Sequence, residues 1–115
     1  MIHEMKLLED PFEQIKSGAK TVEIRLFDEK RKVLRVGDII EFSKLPNLHE
    51  KIKVKVLELL QCESFKSLTK NFDIKSFGYK QDFSIEKFLE SIYKIYSKDE
   101  EKRYGVLGIK LEILK

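Results

Sequence analysis

The segment "KIKVKVLELL", residues 51–60, constrains the fold more than any other stretch. Apolar and charged side chains alternate along it, with Ile52, Val54 and Val56 on one face and Lys51, Lys53 and Lys55 on the other. A period of two is that of an extended strand, so this pattern predicts a long strand with its apolar face inward. We interpret the lysines as a solvent face that protects a strand edge from pairing with other chains.

Further strands and helices are predicted on both sides of this strand. The remaining strand patterns cover residues 2–8, 21–27, 39–43 and 106–114, and the helical patterns cover 10–18, 64–72 and 84–96. Short helices between strands, without regular β-α-β alternation, indicate an α+β fold around a mostly antiparallel sheet. Closing the sheet into a small barrel would remove its edges. The length predicts one domain over residues 1–115, with its longest helix near the C-terminus.

Helix ends are marked by capping residues. Asp10 is predicted as the N-cap of the first helix, with Glu13 three residues later as in a capping box. Gly18 is expected to end that helix in the left-handed conformation. Ser64 and Ser84 are expected to cap the next two helices. The segment "SKDEEKRYG", which contains two adjacent glutamates, is interpreted as a solvated turn.

Composition excludes several classes of protein. Twenty-three Lys and Arg residues against 20 Asp and Glu residues leave a net charge of +3, which permits binding to nucleic acid without requiring it. The single cysteine, Cys62, excludes an internal disulfide and suits a reducing compartment. His3 and His49 lack metal-ligand spacing, so neither a metal nor another cofactor is expected. Without an apolar membrane span or signal sequence, we expect a cytoplasmic protein that does not contact membranes.

The segment "SGAKTVEIR", residues 17–25, concentrates charge at the start of a predicted strand. Gly18 lets the backbone reverse, which puts Lys20 at the beginning of that strand. Glu23 and Arg25 lie two residues apart on one face, about 7 Å from each other. Alternation alone favours an exposed ion pair worth less than about 1 kcal/mol. The alternative is a binding site in which the cations contact phosphate and Glu23 orients them or accepts from a base.

Four residues of this segment, one glycine and three charged residues, resemble the signature of a known family. Gly18, Lys20, Glu23 and Arg25 fit the pattern G-x-K-x-x-E-x-R, which resembles the signature of the ASCH domain (activating signal cointegrator homology) in the PUA-like superfamily. The flanking segments "PFEQIKSG", "VGDIIEF", "SFKSL" and "YGVLGIKLEIL" extend the resemblance over essentially the whole chain. It implies a PUA-like β-barrel with flanking helices, and a cleft beside the motif that binds RNA or a nucleotide-like molecule.

The resemblance leaves two other functions open. One branch of the family is an amidohydrolase acting on acetylated cytidine, with a catalytic lysine at the position of Lys20 and a threonine where this chain has Glu23. In that alternative Lys20 and Glu23 would be the catalytic residues. Members that cut RNA with a metal are a poorer match, because this chain has no dense acidic cluster. A third alternative is a protein-interaction module without a ligand cleft, and the oligomeric state is left open.

Two neighbouring segments are candidates for contact with the same ligand. A basic run lies just beyond the motif strand and consists of Lys30, Arg31, Lys32 and Arg35. In a loop near the motif these side chains could follow a phosphate backbone. Tyr79 stands beside a glycine in an irregular aromatic stretch and could stack on a base, whereas its neighbour Phe77 is expected to be buried.

Overall fold

The computed structural model describes residues 1–80 and 82–114. The strands are β1 (Ile2–Leu7), β2 (Val22–Leu26), β3 (Ile39–Lys44), β4 (Lys51–Cys62) and β5 (Val106–Ile113). The helices are α1 (Glu9–Ser17), α2 (Phe65–Leu68), α3 (Ile85–Ile92) and α4 (Lys98–Tyr104), with a 3₁₀ helix at Ile74–Phe77. Among these residues, no helix combines the length and the apolar character that crossing a membrane requires.

The five strands form one mixed sheet in the order β1–β3–β4–β5–β2. Strand β1 pairs with β3 in parallel, whereas the other three pairings are antiparallel. The chain passes through α1 and β2 between β1 and β3, and by the strand pairings β2 runs opposite to β1, so β3 starts at the same end of the sheet as β1. Strands β1 and β2 are the two edges, so the curled sheet is a half-barrel and not the closed barrel that was expected.

The alternation in β4 is confirmed by burial, but β4 is the central strand of the sheet, so its lysines form a solvent face and do not protect an edge. Val54 and Val56 are fully buried, while the three lysines between and before them are exposed. Two hydrophobic clusters make the core: one packs α1 against β1, β3 and β4, and the other packs β2 against α2, α3 and the 3₁₀ helix. Gly108 of β5 serves the second cluster, since a Cβ there would lie 3.0 Å from side-chain atoms of both Leu68 and Phe72.

Helix α1 begins earlier than its sequence indicates. Its N-cap is Leu8, which offers no side-chain hydrogen bond, and Asp10 lies inside the first turn and not at the cap. Phe12 N–H donates to Leu8 O at 3.1 Å, which sets the first helical turn. Glu9 and Asp10 remain favourable there because the N-terminal end of a helix is partially positive. Gly18 ends the helix with φ of +86°, as predicted.

The prediction of one long helix near the C-terminus is wrong. Ser84 caps α3 as predicted, but α3 ends at Ile92 after eight residues. The segment interpreted as a solvated turn forms the separate helix α4, in which Ser97 and Glu100 make a reciprocal capping box. The capping box starts a new helix at Lys98, and this divides the helical region in two.

Glu101 is the clearest departure from the expected solvated turn. Its side chain is buried and accepts hydrogen bonds from Phe65 N–H (2.7 Å) and from the Tyr93 hydroxyl (2.7 and 2.9 Å). Burial, together with the carboxylate of Glu101, raises the pKa of Tyr93 to about 12. One carboxylate therefore ties α4 to the start of α2 and to the turn after α3.

Candidate functional site

The motif segment is held in place by backbone hydrogen bonds before β2 begins. Lys20 N–H donates to Gln14 O of α1 (3.0 Å), and Thr21 N–H donates to Ser76 O of the 3₁₀ helix (2.9 Å). The reversal at Gly18 makes the first contact possible, because it brings the chain back alongside α1. Lys20 is thereby placed between α1 and the 3₁₀ helix, at the start of an edge strand.

Lys20, Glu23 and Arg25 form one buried ion cluster. Lys20 Nζ lies 3.0 Å from Glu23 Oε1, and Arg25 Nη2 lies 2.9 Å from Glu23 Oε2. Arg25 Nε also donates to Glu23 Oε2 at 3.0 Å, so the guanidinium binds this carboxylate through two nitrogens. One carboxylate thus sits between two cations, and the cluster carries a net positive charge.

Burial distinguishes this cluster from a surface ion pair. The Glu23 side chain is only 5% exposed, and Lys20 and Arg25 are 12% and 14% exposed. Burial by itself raises the pKa of the Glu23 carboxyl, but the charges and hydrogen bonds of Lys20 and Arg25 outweigh it and hold this pKa below its usual range. Glu23 is therefore ionised, and it fixes the positions of both cations.

Arg25 also spans the opening of the half-barrel. Its Nη2 donates to Lys6 O of β1 at 3.0 Å, although β1 and β2 are opposite edges of the sheet. The side chain of Arg25 therefore links the two edges where no backbone pairing exists among the described residues. The ion cluster occupies this gap, which explains why an edge-strand glutamate is buried.

A cleft of about 440 Å³ opens beside the cluster. Its polar lining consists of Lys20, Glu23, Arg25 and Gln14, together with Lys6 and Asp10. Its apolar wall is formed by side chains from five separate segments, including Leu8, Leu45, Phe77, Tyr79, Ile95 and Tyr96. This volume lies in the range of small-molecule sites, and an apolar cleft with a few convergent polar groups is typical of them.

Gly78 shapes the part of the cleft next to Tyr79. It ends the 3₁₀ helix with φ of +96°, and its carbonyl accepts from Gln14 Nε2 at 3.1 Å. A Cβ at this position would lie 2.5 Å from Gln14 Oε1, so glycine permits the close approach. Tyr79 follows and stacks on Phe83 with ring centroids 4.7 Å apart. The glycine thus lets α1 and the aromatic segment meet at the cleft.

Several cleft residues were missed by sequence reasoning. Tyr96 and Ile95 lie beyond the end of α3 and line the cleft, together with Leu8 from the start of α1. Tyr96 continues the apolar spacing of the preceding helix, which is typical of a residue in the core or at its edge. Ile95 fits the same spacing, three residues after Ile92, so the sequence carried no signal that it leaves the core; in the structure it is 66% exposed.

The basic run divides between two places. Lys30 and Arg31 line a groove of about 680 Å³ that also contains Arg25 and Lys6. Lys32 lies outside the residues lining this groove and the cleft, and its Nζ is 3.1 Å from Glu29. Arg35 is exposed and lines neither of them.

Gly18 does not line the cleft beside the ion cluster. It borders a smaller cavity of about 360 Å³, together with Lys20 and part of β5. Within residues 1–80 and 82–114, no three His, Cys, Asp or Glu side chains come close enough together to hold a metal ion.

Comparisons with known proteins agree with one another. A family model described as ASCH domain matches residues 5–115. The crystal structure of hypothetical protein PH0355 is 37% identical, with a TM-score of 0.85 over 99% of this chain and 100% of that one. The solution NMR structure of protein PF0455 from Pyrococcus furiosus is 32% identical, with a TM-score of 0.78 over 100% of this chain and 99% of that one.

A more distant structural relative carries the family name. A mutant of ZmASCH from Zymomonas mobilis is 17% identical, with a TM-score of 0.68 over 96% of this chain and 67% of that one. At this identity the likeness concerns the fold alone. No protein of curated function matches the chain.

Proposed function

This chain belongs to the ASCH domain family, and we propose that it binds RNA or a nucleotide in the cleft built around Lys20, Glu23 and Arg25. The family is associated with RNA binding. The observation that carries the proposal is a buried, net positive ion cluster at one end of an aromatic and apolar cleft. These are the two surfaces that a nucleotide needs, one for its negative charge and one for its base.

The ion cluster supplies the charge. Lys20 and Arg25 are held on the two oxygens of Glu23, so their positions are set before a ligand arrives. Arg25 donates through Nε and Nη2. Within the described residues its Nη1 makes no hydrogen bond, so this nitrogen can donate to a ligand oxygen. Preorganised donors lose little conformational entropy on binding a phosphate or a base carbonyl.

The apolar wall supplies a surface for the base. Tyr79 and Tyr96 line the cleft, and each already packs against a phenylalanine, Phe83 and Phe65 respectively. Aromatic rings held in this way stack on unpaired bases without large rearrangement. A cleft lined in this manner also favours a ligand over the alternative of a flat protein-interaction surface.

We expect the variant Lys20→Gln to bind short single-stranded RNA about 10-fold more weakly than the wild type, because a charge-assisted hydrogen bond is lost. Arg25 still compensates Glu23 in this variant, so the fold should be kept. The measurement is fluorescence anisotropy of a labelled random-sequence RNA octamer at several salt concentrations. Lys53→Gln, on the exposed face of β4, is the matched control and should bind as the wild type does. Equal binding by both variants would contradict the proposed site.

The second candidate is hydrolysis of an acylated nucleoside. The observation in its favour is the 3.0 Å contact between Lys20 Nζ and Glu23 Oε1 inside the cleft, an arrangement suited to acid–base chemistry. It predicts release of acetate from acetylated cytidine, and loss of this activity in Lys20→Gln. Chromatography of the nucleoside after incubation gives the answer, and absence of product from a panel of acylated nucleosides would remove this candidate.

A further inference from the structure

The cleft and the basic groove are neighbouring cavities with a common boundary. Lys6 and Arg25 line both, while the remaining lining residues of the two cavities differ. We infer that the two cavities together bind one nucleotide unit, with the base in the cleft and its phosphate in the groove. The unit is either a free nucleotide or part of a single RNA strand. This inference rests on the proposed function and assigns a separate task to each cavity.

The charges lining the groove favour a phosphate. Four cations line it, namely Lys6, Arg25, Lys30 and Arg31. The acidic side chains of the lining are Glu4 and Glu29, and His3 adds a further titratable group. Glu29 is paired with Lys32 at 3.1 Å, while two of the cations, Arg25 and Arg31, are paired with Glu23 and Asp28. With these partners included, the groove has five cations and four acids. The groove thus has an excess of positive charge that a phosphate would neutralise.

Arg31 is held less completely than Arg25. Its Nη1 lies 3.3–3.4 Å from the two carboxylate oxygens of Asp28, near the outer limit for hydrogen bonds. Its Nε is buried and has no hydrogen-bond partner among the described residues. An unpaired buried donor is costly, and a shift of Arg31 towards a phosphate in the groove would give this nitrogen a partner. The guanidinium therefore has spare capacity for an anionic ligand.

The cleft has the opposite character beyond its polar end. Leu8, Leu45, Ile95 and the two tyrosines, Tyr79 and Tyr96, form an apolar wall, and the lining also includes Asp10, whose negative charge opposes a phosphate. A phosphate placed against this wall would lose its hydration without gaining a partner, whereas a base would gain stacking contacts. Because of this difference we place the base on the cleft side of Arg25 and the phosphate on the groove side.

The test compares a labelled RNA octamer of random sequence with an abasic strand of the same length. Lys30→Ala and Arg31→Ala should weaken binding of both strands. Each should also make the dependence of log K on log salt shallower by about 0.7, the value for one phosphate contact on a single strand. Tyr96→Leu should weaken RNA binding about 5- to 150-fold and leave the abasic strand and the salt dependence unchanged. Tyr79→Leu is a second variant for the same surface, should Tyr96→Leu fold poorly.

Binding of free nucleotides shows whether the nucleotide unit is a free nucleotide or part of an RNA strand. If ribonucleoside monophosphates bind more tightly than the nucleosides and Lys30→Ala removes the difference, a free nucleotide is sufficient. If only the octamer binds and the variants behave as above, the unit belongs to a strand. Lys30 is exposed, so its replacement should leave the fold intact, and circular dichroism verifies each variant.

The outcomes separate the two proposals. If the wild type binds no RNA or nucleotide, the proposed function fails and this inference fails with it. If binding depends on Lys20 but Lys30→Ala and Arg31→Ala keep the wild-type salt dependence, the two-part site is overturned and the proposed function stands. The same conclusion follows if the tyrosine variants weaken the abasic strand as much as the RNA.

Discussion

Replacing Glu23 by glutamine is expected to lower the free energy of unfolding by about 3 kcal/mol, because two largely buried cations lose their shared counter-charge. The value is at the lower end for broken buried ion pairs, since Lys20 and Arg25 remain 12% and 14% exposed and can turn towards water. Urea unfolding at pH 7 measures the difference.

Glu41→Gln is the matched control for this experiment. Glu41 lies 3.7 Å from Lys51, and these side chains are 20% and 51% exposed. An exposed pair of this kind contributes less than about 1 kcal/mol. If Glu23→Gln loses no more stability than Glu41→Gln, the buried cluster does not stabilise the fold as we infer.

The pH dependence of stability provides an independent check on Glu23. Its pKa in the folded protein lies below the usual 4.5, so the unfolded chain takes up the proton first and acid favours unfolding. The stability that Glu23 contributes is therefore present above about pH 4.5 and is lost as the pH falls through the folded pKa. The difference between wild type and Glu23→Gln should shrink over that interval. Asp38 and Glu50 also have lowered pKa values and add to the acid sensitivity of both proteins alike.

Replacing Arg25 by alanine should weaken RNA binding by about 10- to 100-fold, the loss expected when a charged group with several hydrogen bonds is removed. The effect should exceed that of Lys20→Gln, because Arg25 lines both the cleft and the groove. Anisotropy with the labelled octamer measures it, under conditions in which circular dichroism shows each variant to be folded.

The substitution Arg25→Lys separates charge from geometry. A lysine keeps the positive charge but lacks the planar fork that binds Glu23 through two nitrogens and reaches Lys6 O. We expect this variant to retain the salt dependence of the wild type and to bind about 10-fold more weakly. A folded Arg25→Ala protein with wild-type affinity would contradict the assignment of the site.

Local features of the fold could be predicted from the sequence where all the residues that determine them lie in one short segment. Gly18 ends α1 because its own backbone adopts positive φ, and Ser64 and Ser84 cap helices through hydrogen bonds three residues away. The capping box of Ser97 and Glu100 is equally local and was present in the sequence, although the segment was interpreted as a turn. Its helix packs through Glu101, whose partners lie on other elements.

The candidate site shows where such reasoning stops. Alternation correctly placed Glu23 and Arg25 on the same face of β2, and it favoured an exposed pair there. The structure buries Glu23, because β2 is the edge of a half-barrel whose other edge, β1, faces it across the gap that Arg25 spans. Alternation states which side chains share a face, but the covering of that face depends on residues far away in the chain.

The sequence by itself therefore determined the strands, three of the helix ends and the family motif, since periodicity, capping and spacing act over a few residues. Only the tertiary structure decided that the sheet stays open between β1 and β2 and that Lys20, Glu23 and Arg25 meet there. It alone also brought Tyr79 and Tyr96 to the cleft beside them. The contact that crosses the opening joins Lys6 and Arg25, 19 residues apart, and Tyr79 and Tyr96 lie more than 50 residues beyond Arg25 in the chain. The free energy that fixes these relations comes from packing and desolvation of the whole chain.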